Sequence, residues 1–229
     1  MRLIIIVLLS AFCFQNMNSQ IYEVGVFAGG SNVIGDVGRT NYISPNEVAY
    51  GGIFKWNRSD RHSWRASIIY ADISGDDRKS DDDRRRSRGY RYNGGLLELS
   101  VGMEFNFVEF NLHYFGRQST PYIYTGVTVA SHDNFFWNAL GQFTDEGTKS
   151  WAYGIPIVLG IKSRLTPRSV IGFEAGARYT FSDELDGSVP DSEFRQDLAF
   201  GNVNNNDWYM FIGFTVTYTF ARKPCYCDF

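Results

Sequence analysis

Residues Gly172–Gly187 read GFEAGARYTFSDELDG. Phe173, Ala175, Ala177, Tyr179 and Phe181 share one parity, and Gly172, Glu174, Gly176, Arg178 and Thr180 share the other. A period of two is a strand with two unlike faces. A half-buried strand of a soluble protein would turn its apolar row to a core and its charged row to water. Here the polar row is half glycine, and the apolar row ends in aromatics. That combination fits the opposite arrangement, in which the apolar row faces outward and the polar row lines a crowded interior.

The same alternation recurs along the chain. Tyr22, Val24, Val26 and Ala28 alternate with Glu23, Gly25, Phe27 and Gly29, and Val48, Tyr50, Phe54 and Trp56 with Glu47, Ala49, Gly51 and Lys55. Trp64, Ala66, Ile68 and Tyr70 oppose Arg65, Ser67, Ile69 and Ala71. The clearest case sets Leu97, Leu99, Val101, Met103 and Phe105 against Glu98, Ser100, Gly102, Glu104 and Asn106. Further strands are expected over Tyr122–Ala130, whose facing is ambiguous, over Trp151–Lys162 and over Trp208–Phe220. Pro156 removes a ladder donor, and a bulge is expected there.

Eight strands of roughly eleven residues, at ~3.3 Å per residue and a tilt of ~40°, rise about 28 Å, the height of an outer-membrane apolar band. Trp, Tyr and Phe cluster at the ends of the apolar rows, as interfacial girdles do. Short connections, Arg58–His62 and Arg164–Arg168, alternate with long polar ones: Ile34–Asn46, Ser74–Asn93, His132–Ser150 and Ser182–Asp207. Short turns are periplasmic and long loops extracellular in such barrels; Val108–Thr120 is long for a periplasmic turn. The fold expected is all-β, an eight-stranded antiparallel up-and-down transmembrane β-barrel of outer-membrane type.

Its interior has room for side chains and little else. The inward set holds Glu23, Glu98, Glu104 and Glu174 against Lys55, Arg65, Lys162 and Arg178. Four acids and four bases can neutralise one another, whereas an unpaired buried charge costs several kcal/mol. Glu174 is expected to neutralise a buried base such as Arg178. A soluble lipid-binding barrel would invert this pattern.

The chain has 229 residues, 17% aromatic, with a net charge of −3, too small to imply a nucleic-acid partner. Residues 1–19 read as a signal peptide: Arg2, an apolar run from Leu3 to Phe14, then small and polar residues, with cleavage after Ser19. The barrel is expected over 20–220 and a periplasmic tail over 221–229. Bulky Phe12 argues against lipidation of Cys13.

Little chemistry is legible. His62 and His113 belong to periplasmic connections and His132 to a solvated extracellular rim, so no metal site or shared base is expected. Ser131 and His132 point to opposite faces. The run SGDDRKSDDDRRRSRGYRY at Ser74–Tyr92 balances its charges locally and reads as a solvated, mobile loop. Cys225 and Cys227 are too close for an unstrained mutual bridge. Either they form a disulfide to a periplasmic partner, or the tail has no such role.

Three stretches, EVGVFAGGSNVIGDVG at Glu23–Gly38, IPIVLGIKSRL at Ile155–Leu165 and GFEAGARYTFSDELDGS at Gly172–Ser188, resemble the PorG-type outer-membrane proteins of the Bacteroidetes type IX secretion system. The resemblance spans nearly the whole mature chain. It implies a barrel that is no enzyme and takes no cofactor, metal or small-molecule substrate. Such a barrel would anchor a periplasmic ring built from a lipoprotein of the PorK/GldK type and a protein of the PorN/GldN type, in support of secretion and gliding motility. By the same resemblance Glu174 and Arg178 pair in the interior, Asp183 and Asp186 shape the loop above, and Cys225 and Cys227 contact the ring. The alternative is an OmpA-like barrel acting as adhesin, receptor or small pore.

Overall fold

The computed structural model describes residues 21–114, 116–190, 197–201 and 206–220. The signal-peptide segment and the tail with Cys225 and Cys227 lie outside them. Eight strands follow in order: β1 Ile21–Ile34, β2 Glu47–Asn57, β3 His62–Asp76, β4 Arg91–Asn106, β5 Ser119–Trp137, β6 Phe143–Thr166, β7 Ser169–Thr180 and β8 Trp208–Phe220. One short helix, α1 (Asp83–Arg88), lies between β3 and β4. Each strand pairs antiparallel with the next, and β1 pairs with β8 from Tyr22↔Phe220 to Ile34↔Trp208, closing the sheet.

Alternation sets the two faces. On β4, Leu97, Leu99, Val101 and Met103 are exposed, whereas Leu96, Glu98, Ser100 and Glu104 are buried. On β7, Ile171 and Phe173 lie outside, and Glu174, Arg178 and Thr180 lie inside. The ambiguous strand resolves with Tyr122 and Tyr124 inward and Val127 outward. The polar row thus faces an enclosed lumen and the apolar row forms the outer wall, the arrangement of a transmembrane barrel of outer-membrane type.

The glycines of the quoted stretch now have a reason. A Cβ on Gly176 would lie 2.5 Å from Val158 Cγ2 and 2.9 Å from Arg178 Nη1. One on Gly172 would lie 2.6 Å from Thr215 Oγ1, and on the neighbouring strand one on Gly160 would lie 2.5 Å from the Tyr122 ring. In an eight-stranded cylinder a bulky inward residue needs a bare neighbour.

The strands depart from expectation in three places. β5 and β6 run well beyond the apolar wall, so most of His132–Ser150 is an extended hairpin closed by residues 138–142 rather than a loop. A register shift between Asp133 and Phe135 bends it. Pro156 carries no bulge: Thr125↔Ile157 and Thr128↔Gly154 keep one register, and only the two rungs between them are missing. The ladder to β7 stays continuous through Pro156↔Arg178, so the missing donor weakens one side only. Finally, Ser74–Asn93 is solvated over much of its length, as expected, with Asp81–Arg84 exposed, but it is folded into regular structure. Asp76 caps a 3₁₀ turn at Asp77–Lys79, and Asp82 caps α1, its side chain accepting from Arg84 N.

Placing an arginine at a mid-wall outward position tests the sidedness. Leu99→Arg is expected to destabilise the barrel in phospholipid vesicles by about 2–4 kcal/mol. Urea titration monitored by tryptophan fluorescence would read this, and an unshifted midpoint would contradict a lipid-facing Leu99.

Candidate functional site

The lower end of the barrel is where β1 begins and β8 finishes; the long connections occupy the upper end. Between them the charged residues stack in layers. Lowest, Glu23 accepts from Asn57 Nδ2 at 2.8 Å and from Thr217 Oγ1. Above it, Glu104 receives Lys55 Nζ at 2.6 Å and Lys162 Nζ, with Arg65 Nη1 at 3.8 Å. Arg65 then reaches across to β7 and grips Glu174 through both terminal nitrogens, each at 2.7 Å, while Tyr122 Oη donates to the same carboxylate at 2.6 Å. In the next layer, Arg178 Nε and Tyr209 Oη donate to Glu98 Oε2 at 3.1 and 2.6 Å. The guanidinium of Arg178 also covers the Phe211 ring at 4.4 Å, and that of Arg65 covers Tyr124 at 4.8 Å.

All eight inward charged residues therefore lie in the lumen, each fully or almost fully buried. Their partners differ from the simplest expectation. Glu174 meets Arg65, not Arg178. The two β7 residues are four apart, or ~13 Å along an extended strand, so neutralisation crosses the lumen instead of running along one strand. The tyrosines Tyr122 and Tyr209 complete the carboxylate coordination. Spacing alone did not single them out: the facing of Tyr122 was ambiguous, and neither tyrosine stands opposite a glutamate in the strand register.

Charge fills only part of the interior. Interleaved with the Glu98–Arg178 layer, Phe27, Ile53, Ile69, Leu96, Phe211 and Tyr209 form an apolar core that continues into Ile73, Tyr92, Phe135, Trp137 and Leu185. The extended β5–β6 hairpin supplies Phe135, stacked on Tyr92 at 4.9 Å, and Trp137, stacked on Tyr90 at 4.3 Å. His132 is buried here, not solvated at a rim. His62 stands at the lower end against Phe105, so the histidines do not converge.

The upper mouth is capped by loops locked through acids. The buried Asp186 carboxylate accepts from the amides of Asp36 and of Val37, the latter at 2.9 Å, tying the β7–β8 connection to the β1–β2 connection. Asp77 accepts from Gly38 N at 2.8 Å, Tyr90 N at 3.1 Å and Arg88 Nε at 2.7 Å. Arg85 Nη1 donates to the carbonyls of Gly35 and Gly38 at 2.8 and 3.2 Å. Asp207 accepts from Leu185 N at 3.0 Å. Burial, and then the Asp186 and Asp36 carboxylates, pushes Asp183 up to about 7. Burial and the Asp186 and Asp183 carboxylates hold Asp207 well above the carboxylate range; burial also raises Asp186 against the pull of its hydrogen bonds.

The lower end is closed too. Residues 107–114 of the β4–β5 connection fold beneath the lumen, burying Phe110 and Leu112 against Ile21 and Val170. Phe110 N and Asn106 Nδ2 donate to Asp60 O at 3.0 and 2.9 Å, and Arg164 Nη2 donates to Asn111 O at 2.9 Å. At the same end Phe107, Val108, Tyr114 and Leu165 are exposed. Among the described residues no group of three His, Cys, Asp or Glu side chains is arranged to hold a metal ion.

An apolar outer wall, a lumen filled by salt bridges and apolar packing, and closures at both ends define a plugged barrel of the outer-membrane class. Over residues 2–229 the sequence matches DUF6089, a domain of unknown function, and the chain belongs to that family. No curated protein matches it by sequence. Similar solved structures include Ail of Yersinia pestis, at 10% identity and a TM-score of 0.47 over 88% of this chain and 99% of that one. The N-terminal barrel of Pseudomonas aeruginosa OprF gives 12% and 0.46 over 89% and 98%. Neisserial surface protein A gives 9% and 0.46 over 90% and 100%.

Two outcomes follow. Glu104→Gln leaves Lys55, Lys162 and Arg65 facing one another and is expected to cost about 3–5 kcal/mol, read by urea unfolding in vesicles; an unshifted midpoint would contradict the network. For the cap, the folded carboxyls of Asp183, Asp186 and Asp207 hold protons above the ordinary 3.8. The folded cap then binds more protons than the unfolded chain from about pH 4 upward, so its stability falls as pH rises through about 7. Amide protection of Val37 and Leu185, corrected for intrinsic exchange, is expected to be greater at about pH 5 than at about pH 8. Equal protection would sink that assignment.

Proposed function

We propose that this chain resides in the outer membrane as a non-conducting anchor, with its lower end in the periplasm and its capped end outside the cell. The observation that carries the reading is the filled cross-section. Each described layer of the lumen is occupied by ion pairs, a hydrogen-bonded carboxylate or apolar side chains, which favours a fixture over a conduit. The folded lower connection, with Phe107, Val108, Tyr114 and Leu165 exposed beside it, offers a surface on which a periplasmic partner can seat.

The resemblance to PorG-type proteins supplies the machine. In this reading the barrel anchors or assembles the periplasmic ring of type IX secretion, contacting a PorK/GldK-type lipoprotein and a PorN/GldN-type protein. The tail over 221–229, with Cys225 and Cys227, would extend from the same end. A second reading, an OmpA-like adhesin or receptor, is favoured by the ordered cap, since locked loops are what a recognition surface requires.

Deleting the gene separates the two. The anchor reading expects cargo of the type IX pathway to vanish from the culture medium and accumulate in the periplasm, measured by quantitative mass spectrometry of both fractions. Normal release of that cargo would reject the machine role and leave the surface role.

A further inference from the structure

Among the described residues, the upper rim carries one feature that the anchoring role does not use. The β2–β3 ladder stops at Ala49↔Ala71, while β3 continues to Asp76, paired only with β4. The edge of β3 from Asp72 to Asp76 therefore has no ladder partner on its β2 side, where the end of β1 reaches it through Ser31 Oγ, which donates to Asp72 O, and a notch is left in the upper wall. The β1–β2 connection drapes over this notch. Asn46 Nδ2 donates to Ser74 O at 3.0 Å and Oγ at 2.9 Å, and Arg39 Nε donates to Lys79 O at 3.0 Å. Beneath the drape remains a cleft of about 520 Å³, the size of a small-ligand site.

Its lining mixes apolar surface from Val33, Gly75 and Tyr92 with a larger set of polar side chains. Ser44, Asn46, Ser74 and Asn93 offer neutral hydrogen-bonding groups, and Arg39, Lys79 and Arg91 offer cations against the two carboxylates of Glu47 and Asp76. Arg91 Nε holds Asp76 at 3.2 Å. No carboxylate of the described residues lies within 4 Å of Lys79 Nζ. One positive charge is thus in excess, set among amides and hydroxyls.

Position narrows the ligand. Ser74, Asp76, Arg91 and Asn93 share the outward parity of Tyr70 and Leu97, so the cleft opens on the outer wall. The tilted pair Tyr50–Tyr70, with rings 5.6 Å apart, marks the upper aromatic girdle. Four residues further along a tilted strand is a rise of roughly 10 Å, which is the layer of hydrated headgroups. We infer that this notch binds a saccharide bearing an anionic phosphate group, with amide and hydroxyl side chains on the sugar and Lys79 and Arg39 on the phosphate. Either an outer-leaflet glycolipid or a free phosphorylated glycan could present that chemistry. The inference rests on the membrane orientation proposed above and not on a role in secretion.

The test uses the full chain in phosphatidylcholine nanodiscs, so its outcome is independent of the secretion assay. Calorimetry would compare deacylated phosphorylated core oligosaccharide from lipopolysaccharide, the same oligosaccharide after phosphatase treatment, and inorganic phosphate. A parallel preparation carries intact lipopolysaccharide in the disc, with co-purified glycolipid read by mass spectrometry. The expected result is binding of the phosphorylated oligosaccharide at least about tenfold tighter than either control, and a loss of about tenfold in Lys79→Gln. Lys79→Gln removes an exposed group, and heat-modifiable gel mobility confirms its fold; Arg39→Gln is the second variant. Retention of intact glycolipid without binding of the soluble form, lost in Lys79→Gln, supports the notch with a lipid source. Binding unchanged in both variants, no binding of either form, or equal binding of inorganic phosphate overturns it.

Discussion

The structure depends on one constraint: the cylinder is too narrow for its inward ionised groups to keep water, so seven of the eight pair with a counter-charge on another strand and the eighth, Glu23, is held by Asn57 and Thr217. Arg65 on β3 binds Glu174 on β7, and Glu104 on β4 gathers Lys55 from β2 and Lys162 from β6. Glu98 on β4 binds Arg178 on β7. These contacts span the lumen and brace strands that share no backbone ladder. The low dielectric that makes such pairs strong makes each member costly without its partner. Glycine on the same face follows, because Arg and Tyr side chains long enough to cross need space beside them. The opening sequence, alternating Gly, Glu, Gly and Arg on one row, is that requirement written along a single strand.

The two halves of the lumen solve the filling problem differently. The lower part is filled mainly by charge, and from the Glu98–Arg178 layer upward aliphatic and aromatic side chains take over and merge with the loops above. A cap built on an apolar core needs ordered loops. The acids Asp77 and Asp186 supply the order by accepting backbone amides from the β1–β2 connection. The acids of the cap are crowded, and protons, not cations, relieve much of that crowding. Stability of the cap and stability of the wall thus answer to different variables, the first to pH and the second to the membrane.

Much of the wall was legible in the sequence, because parity is a local signal and a membrane demands it along every strand. Leu97 to Met103 outside and Glu98 to Glu104 inside follow directly from spacing. Partners inside the lumen were not legible. A period of two places Glu174 and Arg178 on one face, but only the closed geometry reveals that Arg65, over a hundred positions earlier, is the nearer base. The hairpin above the wall was hidden for another reason: once strands leave lipid, both faces turn polar or mixed, and Asp133–Lys149 looks like loop composition while still forming a ladder. The charged run after Ser74 misled in part by its mixed signs. Five Asp interleaved with six Arg and one Lys suit a solvated segment, yet here Asp77, Arg85 and Arg88 spend their charges on neighbouring backbone.

The buried pairs also bear on how the molecule reaches its place. A lone β7 strand entering hydrocarbon would carry Glu174 and Arg178 with no counter-charge, at a cost no single apolar row offsets. The partners sit on β3 and β4, so the cost is removed only when distant parts of the chain have come together. Insertion strand by strand is therefore disfavoured relative to a route in which β3, β4 and β7 come together before their inward charges leave water.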